Sequence, residues 1–304
     1  MALFTRTTRP PRFGPATKPA ELREHYAAQF ARFGTIPPGT RFEPTQLGLI
    51  KAEWVHVDNA ARERMILYFH GGGFIAGSPE THRPLIARLC HAANASALSL
   101  NYRLAPEYPF PSPVRDGIDI YRHLIKRGVA PESIVLVGDE AGGGLAFASL
   151  LAIRNGNLPM PAGVAAMSPW ADLALSGMSL MTNAEDDHAL SWEMLFLCAR
   201  HYLKKMNPSD PYSSPAFAPF KDFPPIMVHG GSREILRDDA SKLGDRAAEA
   251  GVNVSIEIYD GMGHLFQADE SLQEAKISID RLGQFVRVRT RHPAGATAHA
   301  AAGR

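Results

Sequence analysis

Val135-Leu136-Val137-Gly138-Asp139-Glu140-Ala141-Gly142-Gly143-Gly144 is the stretch that decides the fold. An apolar β-type run, Ile134 to Val137, enters a glycine-rich turn, and a helix of small residues, about 142–154, leaves it. Gly stands two residues before and two residues after a central residue, the form of a nucleophile elbow. The two glycines leave room for neighbouring backbone, so the central side chain is pushed out above a sheet at a helix N-terminus. That central residue is ordinarily Ser; here it is Glu140. No Gly-x-Ser-x-Gly occurs anywhere in the chain, so no second elbow can replace this one.

Outward from the elbow, apolar strands alternate with amphipathic helices. Strands are expected at 50–57, 65–69, 97–100, 134–137, 163–167, 226–228 and 254–258. Helices are expected near 22–33, 85–93, 114–125, 142–154, 191–204, 238–250 and 272–286. Such alternation implies an α/β fold with a mostly parallel, doubly wound sheet. Ligands of such sheets bind beyond the carboxyl ends of the strands. The stretches 70–74, 138–144, 231–239 and 261–266 all follow strand ends. Residues 1–45 and 175–214 stand outside the alternation and are expected to cap that edge. The core is then 46–174 and 215–288, with 35–45 as linker and 289–304 as a disordered tail.

The 304 residues are 45% hydrophobic and 21% charged with a net charge of +1, the composition of an ordinary globular enzyme. No Lys/Arg run points to nucleic acid or acidic lipid. Cys90 and Cys198 sit in apolar helical segments and read as buried free thiols, with no zinc spacing. Met1 to Lys18 lacks the apolar core of a signal peptide, and no run reaches the ~20 apolar residues of a membrane span. The expectation is a cytoplasmic protein without membrane or nucleic-acid partners.

Five motifs occur in order: His70-Gly71-Gly72-Gly73, Tyr102-Arg103-Leu104-Ala105-Pro106-Glu107, Gly138-Asp139-Glu140-Ala141-Gly142-Gly143, Ser168-Pro169-Trp170 and Gly261-Met262-Gly263-His264. Together they resemble the hormone-sensitive-lipase-like esterases of the α/β-hydrolase superfamily, from about residue 20 to residue 288. The resemblance implies an α/β-hydrolase fold with a small helical cap, acting on short-chain acyl esters or lactones without metal or organic cofactor. It implies oxyanion donors at the N–H groups of Gly72, Gly73 and Ala141, a general base at His264, and structural roles for His70, Arg103, Glu107, Trp170 and Asp172. The acid falls on Glu234, from the match of Glu234-Ile235-Leu236-Arg237-Asp238 to the family's Asp-x-Leu-x-Asp. Asp238 is the alternative, with a helix N-cap as its other reading. Asp186-Asp187-His188 is not expected to bind metal, because the family has Asp-Pro in a cap loop there. Family dimers often pair through the last strand, so a homodimer is compatible with the resemblance.

Glu140 departs from the pattern, and three readings stay open. The chain is a disabled esterase, or a hydrolase scaffold using a carboxylate, or a binding protein, as plant gibberellin receptors of this family are. Carboxylate attack on an ester would give an anhydride that mostly reverts. Attack at saturated carbon is sounder chemistry, and haloalkane dehalogenases and epoxide hydrolases use an elbow Asp that way. Glu140 as a general base for water or for elimination is the other variant. At rest, one Glu140 oxygen is expected in the oxyanion hole and the other on His264, with Glu140 lowered and His264 raised in pKa.

Overall fold

The computed structural model describes residues 13–14, 16–30 and 33–290. Helix α1 (Pro19–Phe30) precedes the hairpin β1 (Thr40–Leu47) and β2 (Ile50–Val57). Then follow β3 (Met65–Phe69), α2 (Pro79–Ala93), β4 (Ser96–Asn101), α3 (Ser112–Lys126), β5 (Ile134–Asp139), α4 (Glu140–Asn155) and β6 (Gly163–Met167). After β6 come α5 (Ser179–Thr182) and α6 (Trp192–Leu203), then β7 (Ile226–Gly231), α7 (Arg237–Glu249), β8 (Val254–Tyr259) and α8 (Gln273–Arg289).

The eight strands form one sheet in the order β1-β2-β4-β3-β5-β6-β7-β8, antiparallel at β1-β2 and β2-β4 and parallel from there on. Strands β3, β5 and β6 are buried at every position, as unbroken apolar runs in a helix-covered parallel sheet should be. Flanking helices pack pairwise, α2 on α8 and α3 on α4. Because β3, β5, β6, β7 and β8 run parallel, the loops after them open on one edge of the sheet. This is the mostly parallel, helix-flanked sheet expected from the alternation of elements, and the α/β-hydrolase arrangement that the resemblance implied.

Three boundaries differ from expectation. Residues 40–47 are an edge strand of the sheet and not linker, so the 1–45 segment ends inside β1. Pro44 made this stretch read as loop, yet an edge strand tolerates a proline whose missing N–H faces outward. Helix α2 starts at Pro79, ahead of the apolar run, because Ser78 and Thr81 form a capping box with Pro79 in the first turn. Helix α8 continues through Arg289, and the Thr290 hydroxyl donates to Val286 O; residues 291–304 of the expected tail lie outside the described residues, as do residues 1–12. Cys90 and Cys198 are buried free thiols, as expected. No helix among the described residues is long and apolar enough to cross a membrane.

Candidate active site

The turn after β5 is as tight as its glycines require. A Cβ on Gly138 would strike the Gly142 carbonyl, and one on Gly142 would strike the carbonyls of Phe69 and His70. Between them Glu140 takes φ +46°, the left-handed region that a non-glycine residue enters only when its surroundings dictate it. Its side chain therefore leaves the sheet at the first turn of α4 and points toward the loop after β3. Glu140 Oε2 accepts from Gly72 N at 2.5 Å and Gly73 N at 2.8 Å, and the Ala141 N–H acts on the carboxylate from the first turn of α4. Gly72 and Gly73 themselves sit at φ +121° and +61°. The loop is held by Asp139, whose carboxylate accepts from Gly71 N and the Tyr68 hydroxyl and pairs with His82. His70 stacks on Tyr102, 4.2 Å between ring centroids, and burial lowers its pKa to about 3. It is a neutral structural ring, as the resemblance implied.

The opposite side of the site comes from the loops after β7 and β8. His264 Nδ1 lies 2.7 Å from Glu234 Oε2, and Glu234 Oε1 accepts from Gly231 N at 2.6 Å. The backbone beyond the imidazole is fixed by Ser168, whose hydroxyl oxygen accepts from Leu265 N at 3.0 Å. Glu140, Glu234 and His264 are all buried, and Glu140 and His264 line one small cavity of about 20 Å³. Its other walls come from α1 and from the segment before α6, including Tyr26, Phe30, Ala189 and Leu190.

Burial by itself would lower His264, but the hydrogen bond and charge of Glu234, then the charges of Asp187 and Glu140, raise it to about 9. Burial raises Glu140, and this outweighs His264 and the three N–H donors that pull it down. The expected lowering of Glu140 is thus overturned: the desolvation of a fully buried carboxyl exceeds what its donors return. The expected bond from His264 to the second oxygen is also missing. Glu140 Oε1 is buried without a hydrogen-bond partner among the described residues.

A family profile for the alpha/beta hydrolase fold matches residues 66–268. The chain is similar to an acetyl-hydrolase of Streptomyces hygroscopicus, 39% identical over 258 residues and covering 84% of each chain. It is also similar to an esterase of Acinetobacter venetianus, 34% identical, with 84% of this chain and 85% of the relative covered. A crystal structure of an esterase from the bacterial hormone-sensitive lipase family superposes with a TM-score of 0.87 at 37% identity, over 91% of this chain and 94% of that one. The chain belongs to the hormone-sensitive-lipase-like family of α/β-hydrolases. By family it is a carboxylesterase-type hydrolase.

Within this hydrolase the residues picked from sequence divide cleanly. Glu140, His264, Glu234, Gly72, Gly73 and Ala141 meet at one point. Asp238 does not: its carboxylate accepts from Ser179 N and pairs with Arg237, and it lies in the first turn of α7 where Leu236 holds the N-cap position. Arg103 pairs with Asp116, Glu107 with Arg23 and Asp172 with Lys242, each serving the framework. Among the described residues no group of three or more His, Cys, Asp or Glu could hold a metal ion. Sequence reasoning passed over Asp187, a buried carboxylate whose charge acts on His264. The signal available was its place in an acidic pair in the cap loop, which was weighed for metal binding alone.

Proposed function

We propose that this chain is a carboxylic-ester hydrolase scaffold for short-chain acyl esters or lactones, strongly impaired because Glu140 holds the nucleophile position. One observation carries the reading: Glu140 Oε2 already takes the Gly72 and Gly73 N–H groups. Those donors are where the oxygen of a tetrahedral intermediate would develop its charge. The side chain fills the place of the oxygen that the site exists to stabilise. With Ser at 140, the hydroxyl would attack the carbonyl, His264 would take its proton, Glu234 would orient the ring, and the three N–H groups would hold the oxyanion. Residues 175–214 and α1 would cap the site, and the acetyl-hydrolase relative points to short acyl groups. The test is Glu140→Ser assayed beside the parent with p-nitrophenyl acetate. A large gain in the variant is expected; none, in a folded protein, overturns the reading.

A second reading is favoured by the unpartnered Oε1. A carboxylate with one oxygen pinned and one free can attack saturated carbon, as in opening an epoxide. The Oε1–carbon bond would form as the ring C–O bond breaks, and protonated His264 would give its proton to the released oxygen. The carbonyl oxygen of the resulting ester would already lie among the N–H donors, ready for hydrolysis by water once His264 is neutral. Incubation of the parent with a small epoxide, followed by peptide mass spectrometry, is expected to show an ester on Glu140 if this reading holds; unmodified Glu140 with no turnover removes it.

A further inference from the structure

The acid of the triad is held by the cap. Asn183 Nδ2 donates to Ser232 O and to Glu234 O, both at 2.9 Å, and so grips the backbone of the turn that carries Glu234. Asp187 grips the next residue: its Oδ2 accepts from Ile235 N at 2.8 Å. Its Oδ1 accepts from Ala189 N and Leu190 N, both at 2.9 Å, and those two residues form a wall of the cavity. Gln29 of α1 joins the same wall by donating to Ala189 O at 3.2 Å. Three N–H groups thus converge on one side chain that is 2% exposed. A carboxylate has two acceptor oxygens for them, and an amide has one. Burial pushes the Asp187 carboxyl above its usual range, while the charge of His264 and the three N–H donors pull the other way.

We propose that Asp187, with Asn183, is a positioning residue of the ester-hydrolysing site: the pair fixes the Glu234 turn to the cavity wall, and so holds the Glu234 carboxylate against His264. This rests on the hydrolase reading of the site. Glu234 contacts His264 directly, Glu140 lines the same cavity as His264, and Asp187 acts on the ring through the residue next to Glu234. Asp139, which also lines the cavity, is engaged by Tyr68, Gly71 and His82. One consequence is that residues 183–190 serve the acid–base pair as well as the substrate cavity. Displacing them would disturb His264 and Glu234 together.

Two measurements on the full chain test this. NMR titration of His264 in Asp187→Asn is expected to move to lower pH than in the parent, because a loosened Glu234 pairs less well with the ring; an unmoved titration overturns the action of Asp187 through Glu234, whatever the thermal stability does. In the Glu140→Ser background, Asp187→Asn and Asn183→Ala are each expected to lower kcat about 10- to 100-fold with KM within threefold, the scale of a sub-ångström to ångström misplacement. Asn183→Ala loosens the same turn, so its His264 titration is expected to move in the same direction while kcat falls. Unchanged kcat in a folded Asn183→Ala overturns the positioning role, and this variant decides it even if Asp187→Asn does not fold. If Glu140→Ser is itself inactive, the hydrolase reading fails, while the titration in the parent still decides whether Asp187 acts on His264.

Discussion

The two walls of the cavity are built from different material. On the β3–β5 side the chemistry is backbone: N–H groups of Gly72, Gly73 and Ala141, aimed by turns that leave no space for a Cβ. On the β7–β8 side it is side chain: His264 and Glu234, oriented by each other and by Gly231 N, with Asp187 of the cap bonded to the turn beside Glu234. The first wall offers partial positive charge and the second negative charge around an imidazole. A backbone wall constrains its own residues severely but is indifferent to what occupies it, provided the occupant accepts hydrogen bonds. That is why Glu at 140 can be accommodated where Ser belongs. A side-chain wall works the other way, since each group depends on the identity of the next.

The largest expected effect tests whether the two walls still work together. Loss of a triad nucleophile costs about 10⁶ in kcat, while binding and the oxyanion hole alone retain roughly 10³–10⁴ over water. On the proposed reading even that residual would be curtailed in the parent, because Glu140 Oε2 takes the Gly72 and Gly73 N–H groups. Glu140→Ser is therefore expected to raise kcat/KM for p-nitrophenyl acetate by about 10⁴ or more, read by initial rates against the parent.

The next effect lies on the side-chain wall. In the Glu140→Ser background, Glu234→Gln keeps an oxygen for Gly231 N but removes the charge paired with His264. The expected loss in kcat is about 10⁴, the cost of breaking the orienting bond in a comparable triad. A loss below tenfold would show that Glu234 is not the acid.

How much of this was legible in the sequence follows the same division. The backbone wall was readable almost completely, because close approach demands glycine and glycine is visible: His70 to Gly73 and Gly138 to Gly144 fell where they were expected. His264 and Glu234 followed from chain order after β8 and β7. Asp187 was not readable, since its role depends on three N–H groups brought together by the fold from residues 189, 190 and 235. Strand β1 was missed because a proline is punctuation in most contexts, and only edge placement excuses it. The pKa of Glu140 was misjudged because N–H donors can be counted in a motif, whereas the depth of burial cannot.

A smaller effect concerns stability. His264 is raised from 6.5 to about 9, so its contribution to folding is complete below 6.5 and is lost as pH rises through about 9. Glu140 is also raised, so the folded state holds its proton more tightly than the unfolded chain does, and that advantage too fades as pH rises. The signs agree, whereas a lowered Glu140 would have lost its contribution on the acid side. The gap in thermal midpoint between the parent and His264→Gln is expected to narrow steadily from pH 6.5 to pH 9. A gap independent of pH over that range would mean that His264 is not protonated in the folded state.

The smallest effect is expected in the first turn of α7, at the residue that competed with Glu234 on sequence grounds. Asp238 lies four positions beyond Glu234, at the second acidic place of the motif, yet its carboxylate faces away from the imidazole onto Ser179 N and Arg237. Its pKa is pulled below the usual range: burial raises it, but the bond from Ser179 N and the charge of Arg237 prevail. The group works as a clamp between α5 and α7 and carries no charge to His264. Asp238→Asn preserves its shape and an acceptor for Ser179 N, and is expected to change kcat in the Glu140→Ser background by less than about threefold, with a stability loss of about 1 kcal/mol or less. Loss of the anion from a residue that touched the base would instead lower kcat as steeply as Glu234→Gln and move the acid limb of the pH profile. Measured side by side, the two substitutions read the direction of each carboxylate from kinetics alone. Equal losses would return Asp238 to the site and remove Glu234 from its sole claim.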